Sequence, residues 1–230
     1  MDKTISPADQ NLHKFLQGVI WDMDGVLIDS MELHYKIWNQ VFSEYGVDFV
    51  RKDFNRHFGT TNLETVQTVL GNKISFKESV ELAEKRQHLF EQQAIHEARL
   101  IPGVIQWLQF FFDRGIPQSI ASSNAQCFIE TIAKHLNINP FFQALVSAEG
   151  LASKPDPAVF LESARRINAQ SSRCLVFEDA VAGVEGAKKA GMKCIAITTT
   201  NSPTELVKAD LIIPSFSALT QDQILILMAF

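Results

Sequence analysis

Long apolar runs are missing from this 230-residue chain, and so are clusters of basic residues. No apolar segment is long enough to span a bilayer, which argues against an integral membrane protein. The net charge is -5, whereas a nucleic-acid-binding domain is usually basic, with lysines and arginines gathered on one face. The sequence therefore predicts no membrane partner and no nucleic-acid partner.

Cysteine is also scarce, with three widely spaced residues and no Cys-x-x-Cys pair. Cys174 and Cys194 each open an apolar run, so we expect buried, reduced thiols and a cytoplasmic location. Residues 1–17 carry mixed charge without an apolar stretch, and we expect no signal peptide there. The apolar residues 224–230 are too few to cross a membrane and predict a last helix packed on the core. A monomer is the default expectation.

What the chain does contain is a series of short apolar segments that alternate with helical patterns. Strands are predicted at residues 19–21, 118–121, 144–147, 174–177, 194–197 and 211–213. Helices are predicted at 104–114, 128–136, 158–167 and 180–190, the third with Pro157 at its first position. This alternation is typical of a parallel sheet covered by helices. The predicted fold is an α/β, Rossmann-like, doubly wound parallel sheet core formed by residues 1–30 and 100–230.

Residues 31–99 show a different pattern, which is helical throughout and contains no convincing strand. Asp29 or Ser30 can cap a first helix that Gly46 ends. Further helices are predicted at 51–58, from an Asn62 cap to residue 70, and at 76–98. Because this block interrupts the α/β pattern after its first strand, we interpret it as an inserted all-helical cap domain.

Polar residues follow four of the predicted strands. They are Asp22 and Asp24 after the first, Ser122, Ser123 and Asn124 after the second, Lys154 after the third, and Glu178 and Asp179 after the fourth. In an open α/β sheet the carboxyl ends of parallel strands lie on one edge, where ligands bind. Several carboxylates together favour a hard cation such as Mg²⁺. Lys154 and the Ser122 hydroxyl would suit a phosphoryl group.

Each of these segments also has a simpler interpretation. Asp24-Gly25 could be an ordinary turn, and residues 122–124 could do no more than cap a helix. Lys154 could lie in a solvated loop, and Asp179 could cap the helix that follows it. All four simple interpretations together, in this order along the chain, would require an unlikely coincidence.

The four segments resemble, in order, the motifs of the haloacid dehalogenase superfamily of phosphotransferases, in the subgroup with a helical cap after the first motif. The matching segments are Asp22-Met23-Asp24-Gly25-Val26, Ser122-Ser123-Asn124, Lys154-Pro155-Asp156-Pro157 and Glu178-Asp179. The resemblance covers roughly residues 18–213. It implies an enzyme in which Asp22 attacks phosphorus to form an aspartyl-phosphate and Asp24 carries the proton.

The resemblance also implies the remaining parts of the site. Mg²⁺ would be held by Asp22, the backbone carbonyl of Asp24, and Asp179, with Glu178 nearby. The phosphoryl oxygens would be held by Ser122, the backbone near Ser123, and Lys154, and the cap would close over the site. Dehalogenases lack the second acid, Asp24, and need no Mg²⁺, so dehalogenation is disfavoured.

The cap residues bear on the substrate. Residues 24–30 look like those of β-phosphoglucomutase-like proteins, in which a cap histidine matches His34; a helix-face residue packed near Trp38 is the alternative. The mutase carries an arginine in a cap loop that is neutral here, Gly59-Thr60-Thr61-Asn62. Arg86 could match a second basic position, although a solvated arginine is the favoured interpretation.

The neutral loop favours a Mg²⁺-dependent phosphatase acting on a small phosphorylated metabolite, a sugar or polyol phosphate. Candidate substrate residues are His34, Thr60, Thr61, Asn62 and Asn124. A phosphosugar mutase is the runner-up, and a non-catalytic binding or regulatory module is the third hypothesis. The intact set of acids argues against that third hypothesis, because a binding module needs no nucleophile.

Overall fold

The computed structural model describes residues 12–57 and 61–229, and its contacts divide the chain into two compact units. One unit comprises Met1–Asp29 and Arg99–Phe230, and the other comprises Ser30–Ala98. We call them the α/β unit and the helical unit. That the helical unit acts as a cap stays a prediction.

The described residues of the α/β unit form a six-stranded sheet with helices between its strands. In chain order from Gly18 onward, its strands and α-helices are β1 (Gly18–Trp21), α5 (Val104–Asp113), β2 (Gln118–Ser122), α6 (Gln126–His135), β3 (Ala144–Ser147), α7 (Ala158–Arg166), β4 (Cys174–Glu178), α8 (Val181–Lys189), β5 (Lys193–Ile197), β6 (Leu211–Ile213) and α9 (Gln221–Ala229). The helical unit, between β1 and α5, contains α1 (Met31–Ser43), α2 (Arg51–His57), α3 (Asn62–Leu70) and α4 (Phe76–Glu97).

The sheet has the strand order β3-β2-β1-β4-β5-β6, and its five pairings are all parallel. This confirms the predicted Rossmann-like α/β core. The central strands β1, β2 and β4 are buried along their whole length. This explains why β1 and β4 are almost uninterrupted apolar segments, whereas β2 also buries Gln118, Ser119 and Ser122. In β1, Trp21 stacks on Phe177 of β4 at 4.2 Å and donates from its indole nitrogen to Gln118 of β2 at 3.0 Å.

Register places the strand ends side by side. Trp21, the last residue of β1, lies opposite Phe177. The residues that follow them, Asp22 and Glu178, are therefore also neighbours. Ser122 at the end of β2 lies opposite Ser147 at the end of β3. β2 and β4 each extend one residue beyond the predicted limit, which brings Ser122 and Glu178 into the sheet.

Helix boundaries differ from the predictions in small ways. Ser30 occupies the N-cap position of α1, but its side chain makes no capping bond. Pro157 is the N-cap of α7 instead of its first residue, and the Asp156 carboxylate accepts from the Ala158 N–H. The predicted last helix is confirmed as α9, which buries Ile224 and Met228. Among the described residues, no helix is long and apolar enough to cross a membrane.

Candidate active site

Three acids meet where β1 and β4 end. Asp22 directly follows β1, Glu178 is the last residue of β4, and Asp179 follows it. Because β1 and β4 are adjacent and parallel, one carboxylate oxygen from each acid lies within 4.8 Å of the others. All three residues are at least nine-tenths buried. The sheet therefore gathers a carboxylate cluster that could hold a metal ion with oxygen ligands.

Lys154 is the cation that faces this cluster. Its Nζ donates to Oδ1 of Asp22 at 2.5 Å, to Oε1 of Glu178 at 2.7 Å and to the Ala121 carbonyl at 3.3 Å. The lysine side chain is 9% exposed. The alternative of a solvated lysine is therefore wrong, because its ammonium is held by two buried carboxylates.

Burial controls the charge of this cluster. Burial, together with the charge of Glu178, raises the pKa of Asp22 to about 8 against the opposing effect of Lys154. Burial also raises the pKa of Asp179 well above its usual range, and the negative charges of Glu178 and Asp22 act in the same direction. Burial alone would lower the pKa of Lys154, but the two carboxylates it contacts outweigh this and raise it. One ammonium faces three acids, so a further cation would be attracted.

Glu178 is engaged on both oxygens by groups of the protein. Its Oε2 accepts from the backbone N–H groups of Asp179 at 2.8 Å and Ala180 at 2.9 Å, while Oε1 accepts from Lys154. Gly183 makes room for it, since a Cβ there would lie 1.7 Å from Oε1. Of the three acids, Asp22 and Asp179 are therefore better placed as direct metal ligands. Asp179 is not the cap of α8, whose N-cap is Ala180 without a side-chain bond.

The turn after β1 approaches Asp179 closely. Gly25 has φ +76°, and a Cβ at this position would lie 2.0 Å from Oδ2 of Asp179. The turn is closed by a bond from the Gly25 N–H to the Ile28 carbonyl at 2.8 Å. Asp24-Gly25 is therefore a turn, as the simpler interpretation had it, but one that only glycine can form against the acidic cluster.

The loop after β5 supplies residues that sequence reasoning missed. The Thr200 hydroxyl donates to Oδ2 of Asp179 at 2.5 Å, and the Asn201 amide donates to the Asp179 carbonyl at 3.0 Å. Thr199 donates to the Gly25 carbonyl at 2.5 Å. The signal was present: a polar segment follows the fifth strand at the same edge of the sheet, as after four other strands.

Asp24 contacts the segment that follows β2. Nδ2 of Asn124 donates to Oδ2 of Asp24 at 2.6 Å and to Oγ of Ser122 at 3.2 Å. Ser123 is exposed beside them. The N-cap position of α6 falls on Ala125, without a side-chain bond, so the interpretation of residues 122–124 as a helix cap alone is wrong.

In the helical unit, His34 and Arg86 form a contact. The Arg86 guanidinium meets Nδ1 of His34 and lies 4.8 Å from the centroid of the Trp38 ring. The His34 ring stacks on Phe90 at 4.0 Å. Arg86 is 2% exposed, so the prediction of a solvated arginine is wrong. A planar guanidinium stacks on aromatic faces and is weakly hydrated, which lets it enter this apolar contact between α1 and α4.

Of the neutral loop, Gly59 and Thr60 lie outside the described residues. Thr61 is the N-cap of α3 and accepts from the Glu64 N–H at 3.2 Å, so the prediction that Asn62 caps this helix is wrong by one residue. The Asn62 amide instead donates to Gln87 of α4 at 3.0 Å. Both side chains have structural partners within the helical unit.

Comparisons with known proteins identify the family and agree with the fold. Residues 19–197 match the family model described as haloacid dehalogenase-like hydrolase. A phosphorylated carbohydrates phosphatase from Thermotoga maritima is 30% identical, with 78% of this chain and 84% of that protein covered. A β-phosphoglucomutase from Bacillus subtilis is 28% identical, with 89% and 92% covered. The crystal structure of a HAD hydrolase from Entamoeba histolytica superimposes with a TM-score of 0.84 at 23% identity, covering 94% of this chain and 100% of that one.

Proposed function

The chain belongs to the haloacid dehalogenase-like hydrolase family, and we propose that it hydrolyses a small phosphorylated sugar or polyol through an aspartyl-phosphate on Asp22. It is a phosphoric monoester hydrolase of that family. The observation that carries the proposal is the buried contact of Asp22 with Lys154 beside two further acids. A relative named for phosphorylated carbohydrates supports the substrate class.

Asp22 is the proposed nucleophile. One of its oxygens, Oδ1, accepts from Lys154, and the other attacks phosphorus. A bond forms between this oxygen and phosphorus while the bond from phosphorus to the sugar oxygen breaks. Attack requires the carboxylate anion, which Lys154 favours against the effect of burial.

Asp24 is the proposed proton carrier. It donates a proton to the departing sugar oxygen, and the alcohol leaves. It then takes a proton from the water that attacks the aspartyl-phosphate, which releases inorganic phosphate and regenerates Asp22. One carboxyl group thus serves both halves of the reaction, and the proton balance closes.

The carboxylate cluster fits Mg²⁺, because its donors are all oxygens and one ammonium does not neutralise them. Asp22, Asp179 and the backbone carbonyl of Asp24 would hold the ion, and Glu178 would orient Lys154 and the start of α8. When bound, Mg²⁺ offsets the repulsion between an anionic nucleophile and an anionic phosphate.

The phosphoryl oxygens would be bound by Ser122, the backbone near Ser123, and Lys154. Oγ of Ser122 accepts from the backbone N–H of Asn124 at 3.1 Å, which leaves its own hydrogen to donate to a phosphoryl oxygen. Donors fixed in advance in this way stabilise the charge that develops during phosphoryl transfer.

We further propose that the helical unit is the cap and carries the residues that select the substrate, among them His34, Thr61 and Asn62. A mutase must bind a second phosphate, and the neutral loop before α3 offers no cation for it. The buried Arg86 beside His34 is the observation that keeps a phosphosugar mutase as the second candidate.

The first test is hydrolysis of p-nitrophenyl phosphate by the purified protein with Mg²⁺ and in chelator. We expect activity only with the metal, and loss of turnover in Asp22→Asn with an unchanged far-UV spectrum. The matched control is Asp222→Asn, an exposed aspartate of α9. Full activity in chelator, or near-normal rates in Asp22→Asn, would overturn the mechanism.

A second test separates phosphatase from mutase. A panel of phosphorylated sugars and polyols is assayed for released phosphate, and β-glucose 1-phosphate is supplied with a bisphosphate activator. We expect phosphate release and no glucose 6-phosphate. Formation of glucose 6-phosphate without net hydrolysis would favour the mutase.

A further inference from the structure

The side-chain amide of Asn124 holds the carboxyl group of Asp24. Its Nδ2 lies 2.6 Å from Oδ2 of Asp24, and Asn124 is 8% exposed. We propose that Asn124 is a positioning residue for proton transfer, which fixes the Asp24 carboxyl so that its other oxygen, Oδ1, delivers and collects the proton. This inference rests on the proposed function, because it gives Asp24 the role of proton carrier.

The chemistry of the amide determines which oxygen bears the proton. An amide NH₂ group has two hydrogens to donate and accepts nothing. The Asp24 oxygen that faces it acts as an acceptor, which favours the opposite oxygen as the carrier of the transferable proton. The second neighbour of Nδ2, Oγ of Ser122 at 3.2 Å, is also an acceptor, in agreement with this orientation of the amide.

Both backbone groups of Asn124 are hydrogen-bonded to serine side chains. Its N–H donates to Oγ of Ser122 at 3.1 Å, and its carbonyl accepts from Oγ of Ser147 at 2.6 Å. Ser122 and Ser147 are opposite each other at the ends of β2 and β3. The sheet thus fixes the amide, and the amide fixes Asp24, which lies after β1 on a turn of its own.

The effect of losing the Asn124 amide on the rate depends on the leaving group. A weakly acidic alcohol needs a proton as it departs, whereas p-nitrophenolate departs without one. A positioned general acid contributes on the order of 10²–10⁴ in rate where a proton is needed. Loss of the positioning amide should therefore slow phosphoenzyme formation from alkyl phosphates far more than from p-nitrophenyl phosphate.

The test measures kcat/KM, which reports the steps up to phosphoenzyme formation, for ethyl, phenyl and p-nitrophenyl phosphate. These esters have no sugar hydroxyls that Asn124 could bind. For Asn124→Ala we expect a loss of about tenfold or more on ethyl phosphate and less than about threefold on p-nitrophenyl phosphate. Asn124→Leu, which roughly keeps the size of the side chain, removes the donor and adds no charge, should give the same pattern if the alanine variant folds poorly.

A double-mutant cycle tests whether Asn124 acts through Asp24. In an Asp24→Ala background, Asn124→Ala should cause no further loss on ethyl phosphate. The control Asn139→Ala, at an exposed asparagine after α6, should leave all three esters unchanged.

Several results would overturn the inference. They are an equal loss on all three esters, no loss on ethyl phosphate, and full additivity with Asp24→Ala. Failure of the proposed function is distinguishable, since the wild-type protein would then hydrolyse none of the esters.

Discussion

The hydroxyl of Thr200 donates to Oδ2 of Asp179 across 2.5 Å and ties the loop after β5 to the acidic cluster at the end of β4. The same oxygen is closely approached by Gly25, where a Cβ would lie 2.0 Å away. Asp179 is thus in contact with a donor and with a bare backbone, which belong to two loops that are remote in sequence.

This contact predicts that Thr200 influences metal affinity. Thr200→Val keeps the shape of the side chain and removes the donor, and we expect Mg²⁺ affinity to fall on the order of 10-fold or more. Thr200→Ser keeps the hydroxyl and should bind Mg²⁺ nearly as the wild type does. Isothermal titration with Mg²⁺ alone measures this without any turnover, and equal affinity in the valine variant would contradict it.

Gly183 provides a second prediction, because a Cβ there would lie 1.7 Å from Oε1 of Glu178 and 1.9 Å from its Cδ. Helix propensity favours alanine over glycine by about 1 kcal/mol. Gly183→Ala should nevertheless lower activity on the order of 10-fold or more, because Glu178 must move away from Lys154. Lys189→Ala, at an exposed position of the same helix, is the control. Undiminished activity in Gly183→Ala would show that Glu178 does not orient the lysine.

The metal-free protein should become less stable as pH rises from about 5 to about 8 on account of Asp22. Its pKa in the folded protein is about 8, far above the value of about 4 for an unfolded chain. Between these values the folded state binds more protons than the unfolded state, so the free energy of unfolding falls as pH increases.

Melting temperatures in chelator, compared between wild type and Asp22→Asn across this pH range, measure the effect. The wild type should lose stability relative to the variant as pH rises, and Mg²⁺ should reverse the loss. If the melting temperature of the wild type rose relative to that of the variant towards pH 8, the prediction would be contradicted.

The thiols should differ in reactivity. Cys127 is exposed, whereas Cys174 and Cys194 are buried. Burial raises the pKa of Cys174 to about 12 and that of Cys194 well above its usual range, so neither forms the reactive thiolate. We expect one thiol to react rapidly with Ellman's reagent in the native protein and all three in guanidinium chloride. Cys127→Ala should abolish the rapid reaction; a second rapidly reacting native thiol would be inconsistent with the burial of β4 and β5.

The fold could be predicted because its signals are local. Short apolar strands that alternate with helical patterns specify a parallel sheet, and a parallel sheet puts the ends of its strands on one edge. The sequence therefore predicts that Asp22, Lys154, Glu178 and Asp179 lie in one group. The helical period alone predicts the all-helical block at residues 31–99.

Contacts between side chains from different loops could not be predicted. The pattern of strands brings Asn124 and Thr200 to the same edge of the sheet as Asp24 and Asp179, but it does not say which side chains meet there. The contact of Arg86 with His34 likewise depends on how the helices pack. Composition makes an arginine look solvated, whereas the aromatic surfaces of α1 and α4 bury it.

The sequence by itself determined which polar residues follow each strand and in what order along the chain. That order is what resembles the family's motifs, because a motif depends only on residue type and spacing. The tertiary structure decided which groups each acid contacts. Lys154 and the backbone N–H groups of Asp179 and Ala180 bind Glu178. Thr200 and Gly25 contact Asp179, and Asn124 binds Asp24. The physical reason is that hydrogen bonds and burial act over a few ångströms in space, and only the folded sheet brings these loops within that distance.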